Sequence, residues 1–244
     1  MSGEAWYLIG TLPPAGRFVL DGPEGRHAAT VRRTRVGEQM VLTDGRGNRC
    51  EATVIDVAKG ELTLTVEAAG TVSQPALRVT VVQALPKGDR SDLAVDLLTE
   101  AGVDVIVPWQ ASRCVARWSG PRADRGVEKW RSVAVQAAKQ SRRAWLPDVR
   151  GLADTQQIAE LVAAADAALL LHEAESRPLT DIVLPDSGTL VLVVGPEGGV
   201  APAEIEALTA AGATTVRLGH QVLRTSTAGA VALGALGVLT TRWS

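Results

Sequence analysis

LVLVVGPEGGVAPAEIEAL, residues 190–208, and VRLGHQVLRTSTAGAVALGAL, residues 216–236, decide the fold of this 244-residue chain. Each reads as a strand, a tight loop and a helix. Leu190 to Val194 form an unbroken apolar run, as expected of a strand covered on both faces. Gly195, Pro196, Glu197, Gly198 and Gly199 then interrupt it. Glycines this dense give the backbone left-handed angles and let a ligand approach it closely. Pro202 suits the first turn of the following helix, where its missing N–H costs nothing. Glu204 and Glu206 suit that helix's positive end. The loop is neither a GxGxxG dinucleotide fingerprint nor a Lys-Ser/Thr phosphate loop, so a nucleoside triphosphate is not indicated. Glycine content alone leaves a plain strand-to-helix turn equally open.

The second stretch adds a short strand at residues 214–218, a loop from Gly219 to Arg224, and three hydroxyl residues, Thr225, Ser226 and Thr227. These are expected to cap a helix beginning near Ala228. Ala228, Gly229, Ala230, Ala232, Gly234, Ala235 and Gly237 make that helix narrow enough for another backbone to pack closely against it.

Working outward, residues 77–241 alternate strand and helix, which predicts a parallel sheet with helices on both faces. Expected strands are 78–85, 103–108, 167–171, 190–195 and 214–218. Expected helices are 91–101, 126–143, 155–165, 202–211 and 226–240. Ligands of such sheets bind beyond the carboxyl ends of the strands, where both key loops lie. Residues 1–74 read differently. Short strands at 6–9, 17–20, 39–43, 50–57 and 61–66 are separated by Gly, Pro and Asp, with one helix near 24–34. This is the pattern of a small β-barrel. Residues 68–76 read as a linker, so the expected domains are 1–74 and 75–244.

Composition narrows the function. Hydrophobic residues make up 46%, ordinary for a folded chain, and no apolar run reaches membrane-spanning length. With no charged-then-apolar leader, a cytoplasmic protein is expected. Cys50 and Cys114 are too few for a zinc site or a disulfide framework, and both read as buried apolar residues. Three scattered histidines do not make a metal site. The net charge of −2 is unevenly spread: residues 75–150 hold 13 Lys/Arg against 8 Asp/Glu, and residues 151–244 hold 4 against 10. A basic middle is compatible with an RNA-facing surface. Arg26, Arg32, Arg33 and Arg35 cluster at the N-terminal helix and its end, and Lys139, Arg142 and Arg143 at a later one. Each cluster is either a solvated helix face or a set of phosphate contacts.

GPEGG and LRTST, in that order and each after a strand, resemble the cofactor-binding end of SPOUT-class RNA methyltransferases. Within that class the match is to the RsmE-type small-subunit (16S) rRNA uridine-N3 methyltransferases. QALPKGDRSDLAVDLLTEAGVDVIVPWQASRCVAR, residues 83–117, and KWRSVAVQAAKQSRRAWLPDV, residues 129–149, extend the resemblance, which covers residues 6–241. It implies an α/β SPOUT-like domain with a trefoil knot after a PUA-like RNA-binding barrel. It also implies a homodimer and S-adenosyl-L-methionine as cofactor. The implied cofactor contacts are Leu171 and His172, then Gly195, Glu197, Gly198 and Gly199. Leu218, Gly219, Val222, Leu223, Thr225, Thr227 and Ala228 complete them. Many relatives have Glu where Ser226 stands, so the resemblance carries no acid or base role onto that position. Methylation at N3 of uridine needs its proton removed or its anion stabilised. Arg224, a permanent cation with a planar fork, is the candidate for that role. No carboxylate in the motifs is an evident general base. A SPOUT enzyme acting on tRNA or a ribose hydroxyl, and a non-catalytic RNA-binding module, are the rival readings.

Overall fold

The computed structural model describes residues 4–174 and 177–243. It forms two compact units, Met1–Gln74 with Ala138–Leu146, and Pro75–Ala137 with Pro147–Ser244.

The first unit contains β1 (Ala5–Leu8), β2 (Gly16–Leu20), α1 (Gly22–Arg26), β3 (Gln39–Thr43), β4 (Asn48–Ala58), β5 (Glu61–Val66) and β6 (Gly70–Thr71). The sheet runs β1-β3-β4-β5-β2, with β6 paired to β4. Only the β1–β3 pair is parallel. Alternate residues of these strands turn Tyr7, Met40, Leu42, Val54, Leu62 and Leu64 into one core. The helix expected at 24–34 is instead the short α1 running into a π-helical turn over His27–Val31.

Two features of this unit escaped the sequence reading. Part of the expected linker is β6, where Thr71 Oγ1 donates to Asn48 Oδ1 at 2.9 Å. Residues 144–146 lie along 45–47: Gly47 N–H donates to Ala144 O and Leu146 N–H to Gly45 O, both at 2.9 Å. A side chain on Gly47 would stand 2.4 Å from the Trp145 indole, so the glycine is what admits the ring.

The second unit alternates as expected: β7 (Leu77–Ala84), α2 (Arg90–Glu100), β8 (Val105–Trp109), α3 (Pro121–Gln140), β9 (Asp148–Val149), α4 (Thr155–Ala163), β10 (Ala167–Leu171), β11 (Gly188–Val194), α5 (Pro202–Ala210), β12 (Thr214–Val216) and α6 (Thr225–Leu239). The sheet order is β12-β10-β11-β7-β8-β9, and every pair is parallel. Burial of Leu190–Val194, none more than 2% exposed, accounts for their apolar run. The helix α3 begins earlier than expected, at Pro121, because Gly126 does not break it. A Cβ on Gly126 would lie 2.8 Å from the Trp118 ring, which packs edge-on to Trp130 at 5.3 Å. The glycine makes room for an indole.

The narrow face of α6 turns inward. A Cβ on Gly229 would fall 2.7 Å from Leu98 of α2, and one on Gly237 would fall 2.3 Å from Trp243. Beside it, Arg242 pairs with Asp104 at 2.8 Å and donates to the carbonyls of Leu77 and Gly102. Asp104 also accepts from Val79 N–H at 2.7 Å. Both side chains are under 10% exposed. A buried ion pair holds only when its remaining hydrogen-bonding capacity is used, as it is here. Cys50 and Cys114 are free and buried.

Candidate active site

Three loops leave the carboxyl ends of β10, β11 and β12 and enclose a cavity of about 540 Å³. That is within the usual range for small-molecule sites. Its walls are residues 171–173, 194–200 and 217–225, with Ala228 and Arg113. Of the residues expected to meet the cofactor, all line this cavity except Thr227. The Thr227 hydroxyl donates instead to Arg224 O at 3.2 Å. The order of the strands produces this meeting, because β10 sits between β11 and β12 although the two key segments are consecutive in sequence.

The glycine loop is shaped by contacts as much as by angle. Gly199 N–H donates to Pro196 O at 2.9 Å and closes a turn in which Gly199 has φ +72. A side chain on Gly195 would stand 2.5 Å from Val200 Cγ2. One on Gly198 would stand 3.2 Å from both Cβ and the carbonyl oxygen of Arg113.

A buried carboxylate holds this loop to its neighbours. Glu204, in the first turn of α5, reaches back to Ala201 N–H at 3.0 Å, in capping-box fashion. It also accepts from Ser112 N–H at 2.8 Å, Ser112 Oγ at 3.0 Å and Thr155 Oγ1 at 3.1 Å. Burial pushes its pKa up. The N–H groups of Ser112 and Ala201 and the hydroxyls of Ser112 and Thr155 more than offset that and hold it below the usual carboxylate range.

Arg224 occupies the cap position of α6, with φ −70 and ψ 147, and the helix starts one residue later. The expected hydroxyl capping is therefore corrected. Thr225, Ser226 and Thr227 already lie inside the first turn, and among the described residues no side chain caps the helix start. Ser226 is buried, and its hydroxyl has no partner among the described residues. Gln83 instead ties the helix start to β7, donating from Nε2 to Thr225 O at 3.2 Å and to Ala84 O at 3.0 Å. Glu197 accepts from Lys87 N–H at 3.2 Å. Among the described residues Arg224 has no ion pair, and its side chain is exposed on the cavity wall.

Sequence reasoning left Arg113 and Arg217 out of this site, although both line it. Arg113 stands more than 80 positions from the glycine loop, and no local pattern links the two. For Glu204 the sequence carries a signal, the acidic residue two positions after Pro202, but that position alone indicates only a charge at a helix end. His172, Glu173 and His220 also line the cavity.

The basic residues of the first unit divide. Arg26, Arg32, Arg33 and Arg35 are exposed, as is Arg142. Lys139 is not available to a ligand: its Nζ bonds both oxygens of Glu24, at 2.7 and 2.9 Å, and its side chain is 11% exposed. Arg143 is half-buried and donates its N–H to Ala138 O at 2.9 Å. Among the described residues, Arg33 (φ 55) and Arg142 (φ 56) are the non-glycine positions with positive φ. Each follows a helical turn at the place where glycine is the usual choice.

Comparison with known proteins places these features. A family model described as "RNA methyltransferase domain" matches residues 73–237, and one described as "RNA methyltransferase PUA domain" matches residues 20–67. The chain is 53% identical over 242 residues to ribosomal RNA small subunit methyltransferase E of Mycobacterium bovis, covering 97% of this chain and 92% of that one. Against the protein of the same name from Bacillus subtilis the identity is 31%, with 93% and 91% covered. The crystal structure of a ribosomal RNA small subunit methyltransferase E from Neisseria gonorrhoeae bound to S-adenosyl methionine superposes with a TM-score of 0.87. It is 28% identical, and 98% of each chain is covered.

Glu204 generates a pH prediction. A carboxylate whose folded pKa is depressed contributes stability above its unfolded value, about 4.3, and loses that contribution as pH falls through the lower folded value. Glu204→Gln should cost about 2 kcal/mol at neutral pH, since one amide face offers donors where acceptors are needed. The gap to wild type should shrink below about pH 4. Urea unfolding at several pH values checks this, and a gap that stays constant into acid refutes the role of the ionised form.

Proposed function

This chain belongs to the RNA methyltransferase family, and on that footing we propose that it transfers the methyl group of S-adenosylmethionine to N3 of a uridine in small-subunit rRNA. The observation that carries the reading is the cavity beyond β10, β11 and β12, where a glycine loop, an apolar wall and Arg224 meet. The residues present fit such a cofactor. Gly198 and Gly199 leave bare backbone on the cavity wall, and Leu171, Val194, Leu218, Leu223 and Ala228 offer an apolar face suited to a purine. When bound, the cofactor supplies an electrophilic methyl on a sulfonium sulfur.

The protein's own part is positioning and electrostatics. N3 of uracil must lose its proton and carry developing negative charge, which spreads to the adjacent carbonyl oxygens. Arg224 projects from a rigid cap position, free of any carboxylate among the described residues, and can hold one of those oxygens with its fork. No base is assigned for the proton. Arg26, Arg32, Arg33 and Arg35, with Arg142 and Arg143, are proposed to take rRNA phosphates. The substrate is small-subunit rRNA, free or assembled, in the cytoplasm. A second copy is proposed to cover the outer side of α6, where Val231 is 47% and Val238 76% exposed, with Trp243 58% exposed beyond it.

Arg224→Ala should lose about a hundredfold in single-turnover methylation at saturating cofactor, with cofactor affinity nearly unchanged. Arg224→Lys should recover little, because a point charge does not reproduce the fork. A near-normal rate in folded Arg224→Ala would end the catalytic claim. Arg33→Gly and Arg142→Gly relieve left-handed strain, so each should leave stability unchanged or raise it by up to about 1 kcal/mol. Each should also lower the slope of log affinity for rRNA against log salt by about 1. Wild-type salt dependence in both would reduce these arginines to a solvated face. Light scattering at micromolar concentration should report a dimer, and Val238→Asp should shift it to monomer; a monomeric wild type refutes the pairing.

A further inference from the structure

Arg113 stands on the loop between β8 and α3, yet it lines the same cavity as Arg224. Its Nη1 donates to the carbonyl of Gly198 at 3.3 Å, which uses one of its five N–H groups. No carboxylate lies within ion-pairing distance of it among the described residues. Of the acidic groups beside the glycine loop, Glu204 is filled by Ser112, Thr155 and Ala201, and Glu197 accepts from Lys87 N–H without pairing with Arg113. The guanidinium is exposed, so it is a hydrated cation at the cavity's edge with most of its donors unspent.

Its backbone, by contrast, is fixed on both sides. Ser112 is held to Glu204 through its N–H and its hydroxyl. The Ser112 carbonyl accepts from Arg117, and Cys114 N–H donates to Ala111 O at 3.1 Å. The Arg113 main chain also packs directly under Gly198. With its base so constrained, only the side chain's own rotamers remain to be ordered when a ligand arrives.

We infer that Arg113 holds a backbone phosphate of the substrate RNA at the mouth of the methyl-transfer cavity. This rests on the reading that the chain methylates rRNA. A phosphate fits better than a base carbonyl. The group is exposed at the rim, it shares its short loop with a second exposed cation, Arg117, and it can bridge to the glycine loop while its other donors face outward. The contact would register the RNA strand against the loop that carries the cofactor.

The test uses full-length protein saturated with S-adenosylhomocysteine and labelled small-subunit rRNA transcribed in vitro. Binding is measured as a function of salt for wild type, Arg113→Ala, Arg113→Gln and Arg113→Lys. The Gln variant keeps an amide donor for Gly198 O and removes the charge, so it separates bracing from phosphate binding should the Ala variant be unstable. Ala and Gln should each lower the slope of log affinity against log salt by about 1. Lys should keep the wild-type slope, since a point charge serves a phosphate. Cofactor affinity, by calorimetry, should change by less than about twofold in Gln. An unchanged slope in both neutral variants overturns the inference and leaves Arg113 as a brace for Gly198. An unchanged slope with lost turnover that Lys does not rescue also overturns it, because Arg113 would then touch the base. Failure of wild type to methylate rRNA would instead remove the functional reading itself.

Discussion

Glu204 accepts four hydrogen bonds from three separate stretches of chain: the loop after β8, the start of α4 and the N-terminal turn of α5. A buried carboxylate is costly unless its lone pairs are filled, and four donors fill them. The energetic consequence is mutual dependence. Displacing any one stretch strands part of a charge, so the three move together or not at all. The glycine loop lies between β11 and α5, and Arg113 follows Ser112 directly, so two walls of the cavity inherit their rigidity from one side chain. In the same unit, Gln83 fixes the start of α6 to β7 and so places the third wall.

Most of the fold was legible because its signals are local. Apolar runs without alternation mark strands covered on both faces, and the second unit has such runs at β8, β10 and β11. What escaped was set by contact at a distance. The helix expected from Gly126 in fact starts at Pro121, and Gly126 inside it makes room for the Trp118 ring. Gly45 and Gly47 look like turn residues, and nothing near them announces that residues 144–146 will lie alongside. Hydroxyl residues before a helix suggest caps, but α6 already begins at Thr225, which Gln83 of β7 holds by its carbonyl, so the hydroxyls fall inside the first turn.

The candidate site divides along the same line. Both loops after the strands could be found from glycine, proline and hydroxyl content together with the resemblance, and they do converge. Arg113 could not, since it reaches the glycine loop from another element. By sequence Lys139 belongs with its basic neighbours Arg142 and Arg143, whereas in the fold Glu24 and the Tyr7 ring claim it. The left-handed arginines are invisible in sequence for a different reason. A residue's φ is imposed by the turn around it, and only the structure shows a long cationic side chain standing where glycine would be easier.

The cavity wall carries Arg113, Arg217 and Arg224 against Glu173 and Glu197, an excess of positive charge. Under the proposed reaction the donor enters with a sulfonium cation and leaves as a neutral thioether. An electropositive enclosure disfavours the first more than the second. On charge alone, the enclosure therefore suits the spent donor better than the fresh one. The anionic RNA, by neutralising part of that wall, would ease the entry of fresh donor.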